Sequence, residues 1–115
     1  GIDALSRDKR LILETAKSIR EDFLHQNAFH EIDTYASMDK QFKMLRNILT
    51  FHRTAMDALK RGADIKKLFE LPVREEIARM RYIAEENLEF LDQLEAEIRS
   101  QINKIIPTGG DNYAA

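Results

Sequence analysis

The sequence predicts an all-α protein, a helical bundle of two long helices, a short helical elbow and a long C-terminal helix. Three observations carry that expectation. Val occurs once and Gly four times, while Leu, Ile, Ala, Glu, Lys and Arg dominate, a composition that favours helix over strand. Apolar residues recur at spacings of three and four along most of the chain. Residues that start and stop helices punctuate those periodic stretches.

Ser6 is placed to cap the first helix by accepting from the free N–H groups of its opening turn. Leu5, Ile12, Ala16, Ile19 and Phe23 then form one apolar stripe, with Asn27 as the stop. Ser37 caps a second, longer helix. Met38, Phe42, Leu45, Leu49, His52, Met56 and Leu59 define its first stripe, and Met44, Ile48, Phe51 and Ala55 a second. A face that broad predicts packing against more than one neighbour. Gly62 ends this helix, because Gly enters the left-handed conformation at little cost. Asp64 opens a short turn of helix through Phe69, and Pro72 suits the first position of the next one. That helix carries Val73, Ile77 and Met80. The pattern breaks near Ala84 and restarts as Leu88, Leu91, Leu94, Ile98, Ile102 and Ile105 before Pro107-Thr108-Gly109-Gly110 stops it. At 115 residues the chain fits one domain, assigned to 1–106, with 107–115 expected as a flexible tail.

Composition narrows the function classes. No Cys is present, which excludes disulfides and thiolate metal sites. A net charge of -2 with 33% charged residues gives no global attraction to nucleic acid or to anionic lipid. The cations of the 60–81 region, such as Lys66, Lys67, Arg74 and Arg79, are interleaved with Glu70, Glu75 and Glu76, so a solvated, ion-paired helix face is expected rather than a duplex-binding one. No apolar run approaches the ~20 residues of a membrane span. The opening Gly1, in place of Met, suggests a processed product or an expressed piece.

Candidate chemistry is sparse. The glycines at 1, 62, 109 and 110 do not form a phosphate-cradling loop, and no Gly-Lys-Ser/Thr occurs, so nucleotide hydrolysis by this chain alone is not expected. His25, His30, Glu31 and Asp33 cluster, but neither a zinc-protease His-Glu-x-x-His nor two Glu-x-x-His pairs occurs. Those residues are read as loop and helix-start hydrogen bonders, and no metal ligand is assigned. His52, on the apolar stripe, is read as a partly buried histidine with a satisfied nitrogen. No nucleophile–base pair stands out, and no catalytic residue is assigned. The polar connector Gln26-Asn27-Ala28-Phe29-His30-Glu31-Ile32-Asp33-Thr34-Tyr35 is the exception. It carries two aromatics that joining helices does not require, and loops set on rigid helices are where binding residues sit.

Three strings, Ile19-Arg20-Glu21-Asp22-Phe23-Leu24 running into that connector, Asp33-Thr34-Tyr35, and Leu71-Pro72-Val73-Arg74-Glu75, carry a resemblance. From about Gly1 to Ile106 the chain resembles the C-terminal helical domain of the catalytic alpha chain of archaeal and vacuolar-type rotary ATPases. The resemblance implies a fragment of an ion-translocating ATP synthase or ATPase. ATP or ADP with Mg would be bound mainly by a preceding nucleotide-binding domain, and the fragment itself would need no cofactor. It implies that Phe29 packs on the adenine, with Tyr35 as the second aromatic candidate; the alternative for each is a plug between the first two helices. Base stacking on an aromatic face is worth ~1–3 kcal/mol in nucleic-acid complexes. It further implies that Asp3, Ala4, Leu5, Ser6, Arg7, Asp8 and Lys9 match the acidic Asp-Glu-Leu-Ser-Glu-Glu-Asp lever that presses on the rotor in the F-type relative. Ala4 and Arg7 stand in place of Glu and Lys9 in place of Asp, so steric rather than charge-driven contact is expected; the alternative is an ordinary helix start. The partners implied are the non-catalytic B subunit and the central stalk, with a cytoplasmic location peripheral to the membrane. The rival reading is a stand-alone helical protein-interaction module.

Overall fold

The computed structural model describes residues 6–24 and 36–108. These residues form helices and turns with no strand among them, as expected. The first helix, α1 (Arg7–Ser18), continues as a π-helical turn over Ile19–Leu24. Next come α2 (Met38–Lys60), the short α3 (Ile65–Phe69) and α4 (Val73–Arg79). Two 3-10 turns at Met80–Tyr82 and Glu85–Asn87 lead into α5 (Glu89–Lys104).

The end signals act as read from the sequence. Ser6 Oγ accepts from Lys9 N at 3.3 Å and Ser37 Oγ from Lys40 N at 3.0 Å. Asp64 Oδ1 accepts from Lys66 N at 3.0 Å. Gly62 follows α2 with φ of +95°. There its neighbour Ala63 donates back to Ala58 O at 2.9 Å, closing the helix end. Pro72 stands one residue before α4 with a helical φ of −55°. The expected helix stop at Asn27 and the tail from Gly109 lie outside the described residues.

α2 is the central element. It packs most extensively on α5 and next on α1, while α4 bridges α5 and the π turn. Its fully buried line is Met44, Ile48, Phe51, Ala55, Ala58 and Leu59. Opposite lie Leu91, Leu94, Ile98 and Ile102 of α5, with Val73, Ile77 and Met80 closing the core. The last two groups are those the periodicity selected. Charge reinforces the α2–α5 seam: Asp92 meets Arg46 at 2.8 Å and Lys43 at 3.1 Å, and Thr50 donates to Glu95 at 3.0 Å. Those two cations hold the Asp92 carboxyl below its ordinary range.

Two stripes differ from expectation. In α1 the fully buried residue is Leu11, while Ile12 is 51% exposed and Ala16 also faces solvent. The π turn explains the offset. In a regular helix Phe23 would lie about 120° round from Leu11. The wider turn sets the phase back, so Ile19 and Phe23 pack on the same core as Leu11. In α2 the second stripe, not the first, is the core. Met38 and Phe42 are 80% and 64% exposed, and Leu49 is also exposed. The domain is only 19 Å deep along its shortest axis, about two helix diameters. Among the described residues a layer that thin covers α2 on one side and leaves the Met38, Phe42 and Leu49 flank exposed.

Candidate functional site

The tip of α1 is built by its capping residue and by the end of α2. Ser6 fixes the first turn, and the Arg7 guanidinium donates to Ala63 O at 3.3 Å and Leu59 O at 3.5 Å. Leu59 O lies in the last turn of α2 and Ala63 O just past it, at the helix end where the macrodipole favours a cation. Arg7 therefore fastens the tip to the longest helix of the domain. Asp8 and Lys9 are exposed beside it. Of the residues aligned with the lever, the structure brings together Ser6, Arg7, Asp8 and Lys9; Asp3, Ala4 and Leu5 lie outside the described residues.

Phe29 and Tyr35 also lie outside the described residues, together with His25, His30, Glu31 and Asp33. Their stems lie within the described residues. The incoming stem is the π turn, where Ser18 Oγ donates to Asp22 Oδ2 at 2.6 Å. The outgoing stem is Ala36 to Gln41, with Gln41 Nε2 donating to Ala36 O at 2.9 Å. Ser37 N donates to Glu85 Oε2 at 3.0 Å. That bond holds the Glu85 carboxyl below its ordinary range. Lys40 is fully buried, and its ammonium donates to Arg81 O at 2.6 Å and Ile83 O at 2.7 Å. Sequence reasoning missed Lys40. The available signal was its register, four residues before Met44 and eight before Ile48 on the buried side of α2.

A cleft of about 240 Å³ opens between α1, α2 and α4. Arg74 lies along it, 3.1 Å from Glu14, with its guanidinium 5.4 Å from the Phe51 ring centre and 5.3 Å from that of Phe69. Such stacking and pairing make Arg74 a brace between α4 and α1. Nearby, Thr15 Oγ1 and His52 Nδ1 are 2.7 Å apart, the satisfied nitrogen expected for a half-buried imidazole. Burial pushes the His52 pKa down. Among the described residues no group of three or more His, Asp or Glu is gathered closely enough to hold a metal.

Comparison with known proteins gives this geometry a family. A family model described as the C-terminal domain of V and A type ATP synthase matches residues 1–69. The V-type ATP synthase alpha chain of Clostridium perfringens (strain SM101 / Type A) is 54% identical over 110 residues, 96% of this chain and 19% of that one. The alpha chain of Thermoanaerobacter pseudethanolicus is 51% identical over 109 residues, covering 95% of this chain and 18% of its own. That of Acetivibrio thermocellus is 53% identical over 107 residues, covering 92% and 18%. The chain thus spans about a fifth of the length of the curated relatives it matches. With 69 of its 115 residues matched by the family model, the chain belongs to the family of C-terminal domains of V and A type ATP synthases.

Proposed function

We propose that residues 1–106 act as the C-terminal domain of the catalytic alpha chain of a rotary ATP synthase or ATPase, with 107–115 as a tail. The observation that carries this reading is the 54% identity to V-type ATP synthase alpha chains over 96% of the chain. The domain has two tasks. Phe29 and Tyr35 contribute to the adenine side of a nucleotide site whose phosphate loop and Mg²⁺ ligands belong to the preceding part of the alpha chain. The α1 tip, Asp3 to Lys9, contacts the central stalk. A tip tied by Arg7 to α2 suits that task, because close-packed helices transmit displacement rather than absorb it. The substitutions at Ala4, Arg7 and Lys9 leave steric contact as the means.

The exposed line Met38, Phe42 and Leu49 favours burial against another part of the assembly, for which we propose the non-catalytic B subunit. No helix among the described residues is long and apolar enough to cross a membrane. From the family likeness we propose a peripheral position on the cytoplasmic side, held through the complex.

The test is steady-state kinetics of the full alpha chain in its assembled enzyme. Phe29→Ala is expected to raise KM for ATP more than it lowers kcat, because stacking acts on the base rather than on the phosphates. An unchanged KM removes Phe29 from the site.

A further inference from the structure

A groove of about 490 Å³ runs between α4 and α5. Met80 and Ile83, on the 3-10 turn after α4 and just past it, line one side, and Phe90 and Leu94 of α5 the other. Met80 and Leu94 are buried, whereas Phe90 is 48% exposed. An exposed aromatic ring beside a ready-made apolar recess gains free energy when something covers both.

The charges around this groove are not engaged within the fold. Towards α2, the α5 carboxylates Asp92 and Glu95 meet Lys43 and Arg46. Glu76 and Glu97, which line the groove from α4 and α5, are exposed and have no ion pair among the described residues. Glu97 accepts one hydrogen bond, from Gln101 Nε2 at 2.9 Å. Glu86 and Glu89, on the turn and helix start just before Phe90, are likewise exposed and unpaired among the described residues. Arg79 is the one cation among the lining residues. The surplus of carboxylates makes the rim negative, which disfavours anionic lipid and nucleic acid and favours a cationic partner.

We propose that the α4–α5 groove docks a basic amphipathic helix of another polypeptide. An apolar side chain of that helix enters beside Phe90 and Leu94, and the Lys or Arg residues flanking it meet Glu76 and Glu97. A groove between two packed helices accepts the side-chain ridge of a third. The apolar anchor supplies the affinity, and the rim selects the sign of the partner's charge. The groove shares no residue with the α1 tip or with the Met38, Phe42 and Leu49 line, so it stands if either of those readings fails.

The test titrates the 115-residue chain at physiological ionic strength with a helical peptide of about four turns, Leu on one face and Lys on the other. A counterpart with Glu in place of Lys is the control. Binding is read by peptide fluorescence anisotropy and by backbone amide chemical shifts. The Leu/Lys peptide is expected to bind saturably, with shifts centred on Met80, Ile83, Phe90 and Leu94, and the Leu/Glu peptide about tenfold more weakly or less. Phe90→Ser, and separately Glu76→Lys with Glu97→Lys, should each weaken the Leu/Lys peptide about tenfold, the size of one interfacial anchor. Phe42→Ser should leave it unchanged. All of these side chains are exposed, so the variants are expected to keep the parent's amide spectrum elsewhere. Equal affinity for the two peptides overturns the proposal, as do shifts centred on the Met38, Phe42 and Leu49 flank. Undiminished binding by Phe90→Ser overturns it too, since charge alone would then hold the peptide. Self-association of the chain that Phe90→Ser abolishes, without peptide binding, overturns it in favour of a second copy.

Discussion

Arg74 offers a stability prediction whose size follows from its surroundings. Its guanidinium lies over two aromatic rings at 5.4 and 5.3 Å and bonds to Glu14 at 3.1 Å. About a quarter of each charged side chain remains exposed, 27% for Arg74 and 24% for Glu14. Each ring contact at such a half-buried position contributes about 0.5–1 kcal/mol. The ion pair, too buried to be fully screened and too exposed to be strongly amplified, contributes about 1 kcal/mol. Arg74→Ala should therefore cost about 2–3 kcal/mol. Arg74→Met, which keeps the stem on the rings, should cost less. The assay is urea unfolding of the 115-residue chain followed by far-UV circular dichroism, in a double-mutant cycle with Glu14→Ala. A coupling energy near 1 kcal/mol between the two positions is expected, on the order of that for neighbours in one ion-pair network. The Lys17–Glu14 approach at 4.0 Å survives in the Arg74 variants, so it does not contaminate the cycle. A loss below about 0.5 kcal/mol in Arg74→Ala, the level of an ordinary surface change, would refute the bracing role.

The register of α1 gives the next prediction. Leu11→Ala should destabilise the chain by about 2–4 kcal/mol, because the side chain is fully buried and its removal opens a cavity. Ile12→Ala should stay within about 0.5 kcal/mol, and the reverse order in urea midpoints would mean that the π turn does not set the phase as described. His52 provides the pH dependence. Burial disfavours its imidazolium and holds the pKa below the ordinary 6.5, so on acidification the unfolded chain takes up the proton before the folded one does. The stabilisation is complete above 6.5 and is lost as pH falls from there through the folded-state pKa. Thermal midpoints measured across that window should slope downward in the parent chain and flatten in His52→Gln. An identical slope in both would assign the dependence to other groups.

Much of the architecture was legible in the chain. Ser6, Ser37, Asp64, Gly62 and Pro72 act through their own side chains or backbone preferences on neighbours a few residues away, and such local effects survive in any packing. The Leu91, Leu94, Ile98 and Ile102 line was equally plain, because α5 carries a single apolar stripe, which α2 and α4 cover together. Residues 3, 4, 5, 29 and 35, assigned by the family resemblance alone, lie outside the described residues.

Where the chain offered two answers, only packing chose between them. Both stripes of α2 have helical spacing, and the sequence alone holds nothing that ranks Met44 and Ile48 above Met38 and Phe42. The choice depends on which flank α1 and α5 cover in a slab two helices deep, a non-local property. Leu11 displaced Ile12 for a similar reason: a π turn shifts the phase of a stripe, and no periodicity count detects it. Lys40 shows the limit most clearly. By composition a lysine belongs to the surface, yet it is buried here, where the elbow from Met80 to Asn87, about forty residues further on, brings two carbonyls to its ammonium. Capping, periodicity and helix ends are encoded within a few residues, so the sequence determined them. Which flank is covered, which cation is buried and which stems are joined depend on segments far apart in the chain, and the tertiary structure decided those.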